Sequence, residues 1–233
     1  MNITKSLKLI MLGIRLLLKD LYVLLSYIVY PPFCAQCRKF LKKRDVFCAE
    51  CRLQIHPIAS YPLHVTKKWT VPVLAVSDYT DPLKKMILSK GWSDRNSSNQ
   101  LGQIIWEQTH VCNLEFDYVV PVPLHWRRYA WRGYNQAEEI AHVIAHKSGK
   151  KVVNILKRVK HTKFQCSCTG EGRAHNVLNS IQLSVSDKNR YAGKRFIIVD
   201  DLMTTGATLN VAVREIIKLK PASICAVVAC RVL

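Results

Sequence analysis

The strongest constraint on the fold is one run of thirteen residues, 196–208, which reads FIIVDDLMTTGAT. Its first four residues, 196–199, are apolar and mostly β-branched, which predicts a buried strand of a parallel sheet. Two adjacent carboxylates, Asp200 and Asp201, come next. The next segment is a turn that contains Thr204, Thr205, Gly206, Ala207 and Thr208. This turn leads into a helix predicted over residues 209–219. Ligands of open α/β sheets bind where strands end and helices begin, so the run predicts a ligand site at a sheet edge.

The residue types in this turn suit a phosphorylated sugar. Backbone N–H groups at the start of a helix attract anions, and the threonine hydroxyls add hydrogen-bond donors. Gly206 lets the backbone approach a ligand closely, while Asp200 and Asp201 can accept hydrogen bonds from vicinal sugar hydroxyls. A polar strand–turn–helix with no ligand is the alternative. We favour the ligand site because the whole run, and not the acid pair alone, has the required context.

The run resembles the 5-phosphoribosyl-1-pyrophosphate (PRPP) motif of type I phosphoribosyltransferases, in which a hydrophobic strand and two acids precede a T-T-G-x-T loop. By this resemblance Asp200 and Asp201 would face the ribose hydroxyls. Residues 204–208 would hold the 5-phosphate.

Four of the nine cysteines form two C-x-x-C pairs, Cys34 with Cys37 and Cys48 with Cys51. Four thiolates at this spacing can surround one tetrahedral Zn²⁺. Two disulfides or a redox pair are the alternatives, and disulfides are disfavoured because nothing marks the chain as exported. We expect structural zinc in a module too small to fold on its own core.

The other five cysteines carry no comparable pattern. Apolar surroundings predict that Cys112, Cys225 and Cys230 are small core residues. Cys166 and Cys168 lie in a polar loop and receive no role.

The 233-residue chain has room for one α/β domain and a small appendage, and its formal net charge is +19. The amino-terminal part is the more basic, with 12 Lys or Arg against 3 Asp or Glu in residues 1–70. Nucleic acid, an anionic membrane surface or a phosphorylated substrate would suit this charge. A solvated basic face with no partner would suit it equally.

Residues 1–30 are predicted to form an amphipathic helix. Their longest uncharged stretch runs over residues 21–33, short of the roughly 20 residues that span a bilayer, and no signal-peptide cleavage site follows. We therefore expect no transmembrane span and a cytoplasmic location. The helix is expected to pack on the protein itself, with peripheral contact at the inner membrane surface as the alternative.

The middle of the chain alternates strands with helices, which predicts a parallel sheet with covering helices. Strands are predicted over residues 73–79 and 116–122, helices over 83–88, 98–108 and 137–146, and a proline-containing linker over 57–72. The predicted units are the helix of residues 1–30, a four-cysteine zinc-finger-like module of residues 31–60 and an α/β domain of residues 70–233. A basic turn also carries Arg127, Arg128 and Arg132, whose guanidinium groups suit pyrophosphate oxygens. Taken alone, the turn would be interpreted as a basic surface loop. The acid pair calls for a second anion site across the sheet edge, and it therefore favours pyrophosphate binding.

Together, the double C-x-x-C, the PVPL, RR and RGYNQA segments and the acid-pair loop resemble the ComF family, which includes ComFC and GntX-like proteins. A further stretch fits the family pattern through Arg158, Thr162, Gln165, Arg173 and Asn176. The resemblance implies a type I phosphoribosyltransferase-like fold that binds PRPP with Mg²⁺. It also implies a zinc-finger-like amino end and a link to natural transformation, with incoming single-stranded DNA and DNA-uptake proteins as partners. The three arginines would lie near the diphosphate, and residues 158–176 would form a mobile loop.

Two functions follow from this reading. The first is a PRPP-dependent transferase that displaces pyrophosphate from the anomeric carbon in favour of a base, an amine or a nucleic-acid end. The second is a non-catalytic module that binds single-stranded DNA and retains a pocket sensing a sugar phosphate. Aromatic residues beside the arginines would stack on bases in the second case, namely Trp126, Tyr129, Trp131 and Tyr134.

Overall fold

The computed structural model describes residues 31–42, 45–56, 58–88, 95–126, 129–130, 133–159 and 180–232. Backbone contacts divide the chain into two compact units, Met1–Arg52 and Leu53–Leu233. The helix predicted for residues 1–30 lies outside the described residues. Among the residues that the structure describes, no helix is both long enough and apolar enough to cross a membrane.

The described part of the first unit consists of two tight turns that carry the paired cysteines. Phe33 and Phe40 form an antiparallel bridge, and their rings meet edge to face with centroids 5.9 Å apart. The backbone N–H of Cys34 donates to the carbonyl of Lys39 at 2.9 Å and closes the first turn. The second turn ends in a short helix, α1 (Ala49–Arg52).

The second unit is built on a mixed sheet of mostly parallel strands. Eight strands fall within its described residues: β1 (Tyr61–Thr66), β2 (Trp69–Asp78), β3 (Tyr118–Pro121), β4 (Lys151–Val152), β5 (Leu156–Arg158), β6 (Ile181–Leu183), β7 (Arg195–Met203) and β8 (Ser223–Arg231). The main sheet has the spatial order β1-β2-β8-β7-β3-β4, and all of its strand pairs are parallel except β1 with β2. β5 and β6 form a separate antiparallel hairpin.

Helices cover this sheet. They are α2 (Leu83–Leu88), α3 (Arg95–Gln108), α4 (Gln136–Ser148) and α5 (Ala207–Ile217). α3 packs against β2 and β8, α4 packs against β3 and β7, and α5 packs against β1, β6 and β7. Gly102 allows α3 and α4 to approach closely, because an ideal Cβ there would lie only 2.8 Å from the Cβ of Val143. The α/β architecture with a parallel sheet and covering helices is confirmed.

The linker predicted over residues 57–72 is wrong, because this segment contains β1 and the start of β2. Its prolines suggested irregular structure, but Pro62 and Pro72 face each other in the β1–β2 ribbon. β1 is the edge strand, which tolerates Pro62 because one side of its backbone needs no partner strand, and Pro72 precedes Val73, where the pairing of β2 with β8 begins. Leu63 and Val65 alternate with exposed residues and turn inward, which is the pattern of a half-buried strand.

Two further expectations need correction. Cys112 is exposed rather than part of the core, whereas Cys230 is fully buried and Cys225 is partly buried. The predicted strand over residues 196–199 belongs to the longer β7, which continues through the acid pair. It continues because β8, which sequence patterning did not identify, stays paired with it as far as Met203 opposite Arg231.

Candidate functional site

The sheet changes its direction of winding between β3 and β7. From β3 the chain passes through α4 to β4 on one side, and from β7 it passes through α5 to β8 on the other. β3 and β7 are themselves parallel neighbours. Two loops therefore leave adjacent carboxyl ends in opposite directions, which creates the crevice where open α/β sheets bind ligands.

The acid pair lies beside this crevice. β3 accompanies β7 only as far as Pro121 opposite Val199, and the N–H of Val122 donates to the carbonyl of Val199 at 2.9 Å. From Asp200 onward the ladder of β7 continues with β8 alone. Asp200 and Asp201 are therefore inside a strand, held in position by β8 on one side and bordering the crevice on the other.

The two acids are adjacent in the chain and interact. Asp200 Oδ1 accepts a hydrogen bond from the backbone N–H of Asp201 at 2.9 Å. Burial of the carboxyl group, followed by the charge of Asp201, raises the pKa of Asp200 well above its ordinary value. Both residues remain partly exposed, so the pair can accept hydrogen bonds from ligand hydroxyls or face a ligand-bound cation.

Arg158 opposes part of this negative charge. It is the last residue of β5, where it pairs with Ile181, and it is partly buried. Burial lowers the pKa of Arg158, and the charge of Asp200 acts in the opposite direction. The sequence placed Arg158 in a loop, but the structure places it in a strand. The other predicted loop residues lie outside the described residues, namely Thr162, Gln165, Arg173 and Asn176.

The turn after β7 has the tight geometry expected of an anion-binding turn. Thr204 and Thr205 are exposed, and Gly206 adopts a left-handed φ of +72° immediately before α5. An ideal Cβ on Gly206 would lie 3.0 Å from Cδ1 of Leu63, so the turn sits directly against β1. Helix α5 begins at Ala207, so its first N–H groups follow the carboxyl end of β7 after one turn, and the N–H of Ala207 donates to Thr205 Oγ1 at 3.4 Å.

Side chains of α5 attach β1 to this turn. Asn210 Nδ2 donates to the carbonyl of His64 at 3.1 Å, and Arg214 Nη2 donates to the carbonyl of Val65 at 2.9 Å. Arg214 Nε also donates to Asn210 Oδ1 at 2.8 Å. The N–H of Asn210 donates in turn to the carbonyl of Gly206 at 2.8 Å. Sequence analysis missed these residues, because β1 itself was not predicted.

The loop after β3 carries the predicted pyrophosphate residues Arg127, Arg128 and Arg132, which lie outside the described residues. Asn135 Nδ2 donates to the carbonyl of Val122 at 3.0 Å and ties the two ends of the loop together. Trp126 and Tyr129 are 64% and 48% exposed. Tyr134, one of the four aromatic residues considered for base stacking, is instead buried in the core.

The four paired cysteines form one cluster in the first unit. Their sulfur atoms all lie within 4.8 Å of one another, and Sγ of Cys37 lies 3.7 Å from Sγ of Cys48. Four thiolates bound to one tetrahedral ion at about 2.3 Å would stand about 3.8 Å apart. All four cysteines are free thiols, so the cluster is not a pair of disulfides. The donor set therefore fits a metal ion of the tetrahedral, thiolate-binding type.

The surroundings of the thiols differ. Burial raises the pKa of Cys34, but backbone hydrogen bonds from Cys37, Cys48 and Gln36 outweigh it and lower the value to about 6. Burial, followed by hydrogen bonding of the protonated Cys51 thiol with the sulfur atoms of the other three cysteines, raises the pKa of Cys51 to about 12. A bound cation would favour the thiolate form at every position.

Comparison with known proteins gives consistent results. A model of the phosphoribosyl transferase domain matches residues 132–233. Competence protein F of Haemophilus influenzae is 31% identical over 188 residues, which cover 76% of this chain and 80% of that protein. DNA utilization protein YhgH is 28% identical in Salmonella typhi and 26% identical in Escherichia coli K12, with the same coverage.

Among solved structures, adenine phosphoribosyltransferase from Saccharomyces cerevisiae aligns with a TM-score of 0.38 at 15% identity, over 78% of this chain and 86% of that one. The relationship to competence protein F extends over four fifths of that protein's length, and the domain match covers β7, the acid pair and α5. The sequence similarity to competence protein F, together with the domain match, shows that the chain belongs to the ComF family of phosphoribosyltransferase-like proteins.

Proposed function

We propose that the chain binds PRPP with Mg²⁺ in the crevice between β3 and β7 and transfers its phosphoribosyl group. The observation that supports this proposal is that two adjacent acids at the end of β7, where β3 no longer accompanies it, are followed by a left-handed glycine turn at the start of a helix. The ribose hydroxyls would donate to Asp200 and Asp201. The 5-phosphate would accept hydrogen bonds from the turn of residues 204–208.

The chemistry assigned to this site is displacement at the anomeric carbon. Positive charge would develop on the ribose ring as pyrophosphate leaves, and the negative charge of the acid pair, Asp200 with Asp201, would stabilise it. Mg²⁺ bound to pyrophosphate oxygens would neutralise charge on the leaving group. Arg127, Arg128 and Arg132 would bind the same group from the loop after β3. Arg158 would stand as a counter-charge beside Asp200, and Thr162, Gln165, Arg173 and Asn176 would belong to the loop that follows it.

We assign the cysteine cluster a structural Zn²⁺, held by Cys34, Cys37, Cys48 and Cys51. The sulfur spacing supports a closed four-thiolate site with no open position for a substrate. The ion would supply folding free energy to a unit whose described core is small.

The biological setting follows from the names of the relatives. Since similar proteins are called competence protein F and DNA utilization protein, we place this chain in DNA uptake or in the handling of incoming single-stranded DNA. DNA-uptake proteins would be its partners, in the cytoplasm or peripherally at the inner membrane surface.

Pyrophosphate release from PRPP tests the transferase proposal. Wild-type protein with Mg²⁺ is mixed with a panel of bases, amines and oligonucleotides, and pyrophosphate is measured with a coupled assay. At least one acceptor should give release that is lost in the double variant Asp200→Asn/Asp201→Asn. Release that persists unchanged in the double variant would reject the site.

A second candidate function is binding of single-stranded DNA without turnover. The net charge of +19 and the exposed rings of Trp126 and Tyr129 favour it, because bases stack on aromatic faces beside cations. Fluorescence anisotropy with a labelled oligonucleotide should show binding that weakens steeply with salt. Trp126→Ala should weaken binding by roughly fivefold or more. An oligonucleotide that fails to bind at low salt would remove this candidate.

A further inference from the structure

The hairpin of β5 and β6 is separate from the main sheet. Among the described residues its two strands pair with each other, over three residues each. A two-stranded hairpin is at best marginally stable in water, so its position depends on what it packs against. Leu156 and Ile181 of the hairpin belong to the same buried cluster as Ile216 of α5. Apolar burial is non-directional, so it does not by itself fix where along α5 the hairpin lies.

Glu215 of α5 supplies a directional contact to this hairpin. Its Oε2 accepts a hydrogen bond from the backbone N–H of Leu183 at 3.1 Å, and its Oε1 accepts one from Lys218 Nζ. Leu183 pairs with Leu156, so the contact is passed to both strands. A hydrogen bond to a carboxylate is stronger than one between neutral groups, and partial burial protects it from screening by salt.

The same hairpin carries Arg158 to the acid pair. Arg158 ends β5 opposite Ile181, which lies two residues before Leu183 on β6. Each strand residue advances about 3.3 Å, so the Glu215 contact is roughly 7 Å along β6 from the partner of Arg158. Burial is the largest influence on the pKa of Asp200 and raises it, whereas the positive charge of Arg158 acts to lower it. A shift of the hairpin would therefore change the electrostatics of the acid pair.

A surface ion pair would be the simpler role for Glu215. Lys218 lies three residues further along α5, and exposed ion pairs contribute little to stability. That role engages Oε1 alone, and the Glu215 side chain is only 13% exposed, against 56% for Lys218. The hydrogen bond from the hairpin to Oε2 therefore needs a separate explanation.

We propose that Glu215 is a positioning residue, which holds β6 in place and thereby fixes Arg158 beside Asp200. The inference rests on the proposed function, because it takes PRPP to be the ligand at the acid pair. Two carboxylates repel an anionic ligand, and a cation held at a fixed position offsets that repulsion without reorganisation. Glu215 acts on the ligand only through Arg158.

Titration of PRPP with Mg²⁺ into variants of the full chain tests this role. Glu215→Ala should weaken PRPP binding by roughly fivefold or more, because the hairpin loses a charge-assisted hydrogen bond. Glu215→Asp keeps the charge but is one methylene shorter, and it should weaken binding similarly. Glu215→Gln keeps an oxygen acceptor at the same reach and should bind PRPP within about twofold of wild type. Lys218→Met, the matched control, removes only the ion pair and should bind like wild type.

A double-mutant cycle separates positioning from a general effect on stability. In an Arg158→Ala background, Glu215→Ala should weaken PRPP binding further by less than about twofold, because the cation to be positioned is absent. A merely structural role would weaken binding equally in both backgrounds. Hydrogen exchange at the Leu183 amide gives an independent measurement, and its protection should fall in Glu215→Ala and persist in Glu215→Gln. If Glu215→Ala does not fold, Glu215→Asp takes its place in both experiments.

The outcomes separate this inference from the proposed function. If wild type binds PRPP and the Glu215→Ala variant binds it equally well, the positioning role is wrong and the PRPP site stands. Equal losses in the two backgrounds also overturn the role, as does unchanged exchange at the Leu183 amide in Glu215→Ala. If wild-type protein fails to bind PRPP, the proposed function fails, and the positioning role fails with it.

Discussion

Replacing Gly206 with alanine should destabilise the chain more than the same change at another glycine with a left-handed backbone. Gly206 has a φ of +72°, and an ideal Cβ there lies 3.0 Å from Cδ1 of the buried Leu63. Gly149 has a φ of +68°, and among the described residues, its chain neighbours aside, nothing lies within 4 Å of its ideal Cβ. The two substitutions therefore share the backbone strain and differ in the steric contact.

The magnitudes follow from these two terms. A left-handed alanine costs about 1 kcal/mol, which is the whole effect expected for Gly149→Ala. Overpacking adds about 1–3 kcal/mol, and the lower half of that range applies because Cδ1 is the flexible end of Leu63. Gly206→Ala should thus cost about 2–3 kcal/mol. For a chain of this size, each kcal/mol lowers Tm by about 2–4 °C.

Thermal and urea unfolding followed by circular dichroism would measure both variants. The contact is confirmed independently if Gly206→Ala costs only about 1 kcal/mol in a Leu63→Ala background, since the double-mutant cycle then isolates the pair. Equal losses for Gly206→Ala and Gly149→Ala would show that β1 does not press against the turn.

Three further predictions concern charge, metal and hydrogen bonding. The raised pKa of Asp200 means that the folded chain holds this proton more tightly than the unfolded chain, so stability falls as pH rises above the ordinary carboxyl value. Asp200→Asn should therefore raise Tm by a few degrees at neutral pH and give no gain near about pH 3; a gain that is independent of pH would contradict this. Cys48→Ser should lower bound zinc, measured by elemental analysis of purified protein, from near one per chain to well below it, and full retention would refute the four-thiolate site. Arg214→Ala removes two hydrogen bonds and should cost about 1–2 kcal/mol in urea unfolding, whereas Arg190→Ala, at an exposed site, should cost less than about 0.5 kcal/mol.

The parts of the fold that could be predicted are those encoded locally. The strand, the acids and the glycine turn of residues 196–208 occupy one continuous segment. Their order from β7 into α5 can therefore be predicted from the sequence. The helix over residues 83–88 was predicted with its observed bounds. The two C-x-x-C pairs likewise define their own cluster, because each pair needs only a tight turn.

The missed parts depend on residues far apart in the chain. Pairing of β8 with β7 extends the strand past the acids, and nothing within residues 196–203 indicates it. Arg158 becomes part of a strand only because Ile181 lies opposite it. The contact of Gly206 with Leu63 joins segments more than a hundred residues apart, as does the ion pair of Arg231 with Asp78. Local patterns do not contain such pairings.

Isothermal titration of PRPP with Mg²⁺ into the full chain tests the central claim most directly. Wild-type protein should bind with a stoichiometry near one, and Asp200→Asn/Asp201→Asn should lose that binding because the ribose hydroxyls then lack their carboxylate acceptors. Asp187→Asn, at an exposed carboxylate away from the crevice, should bind like wild type. Binding of equal strength to wild type and to the double variant would contradict the assignment of the acid pair.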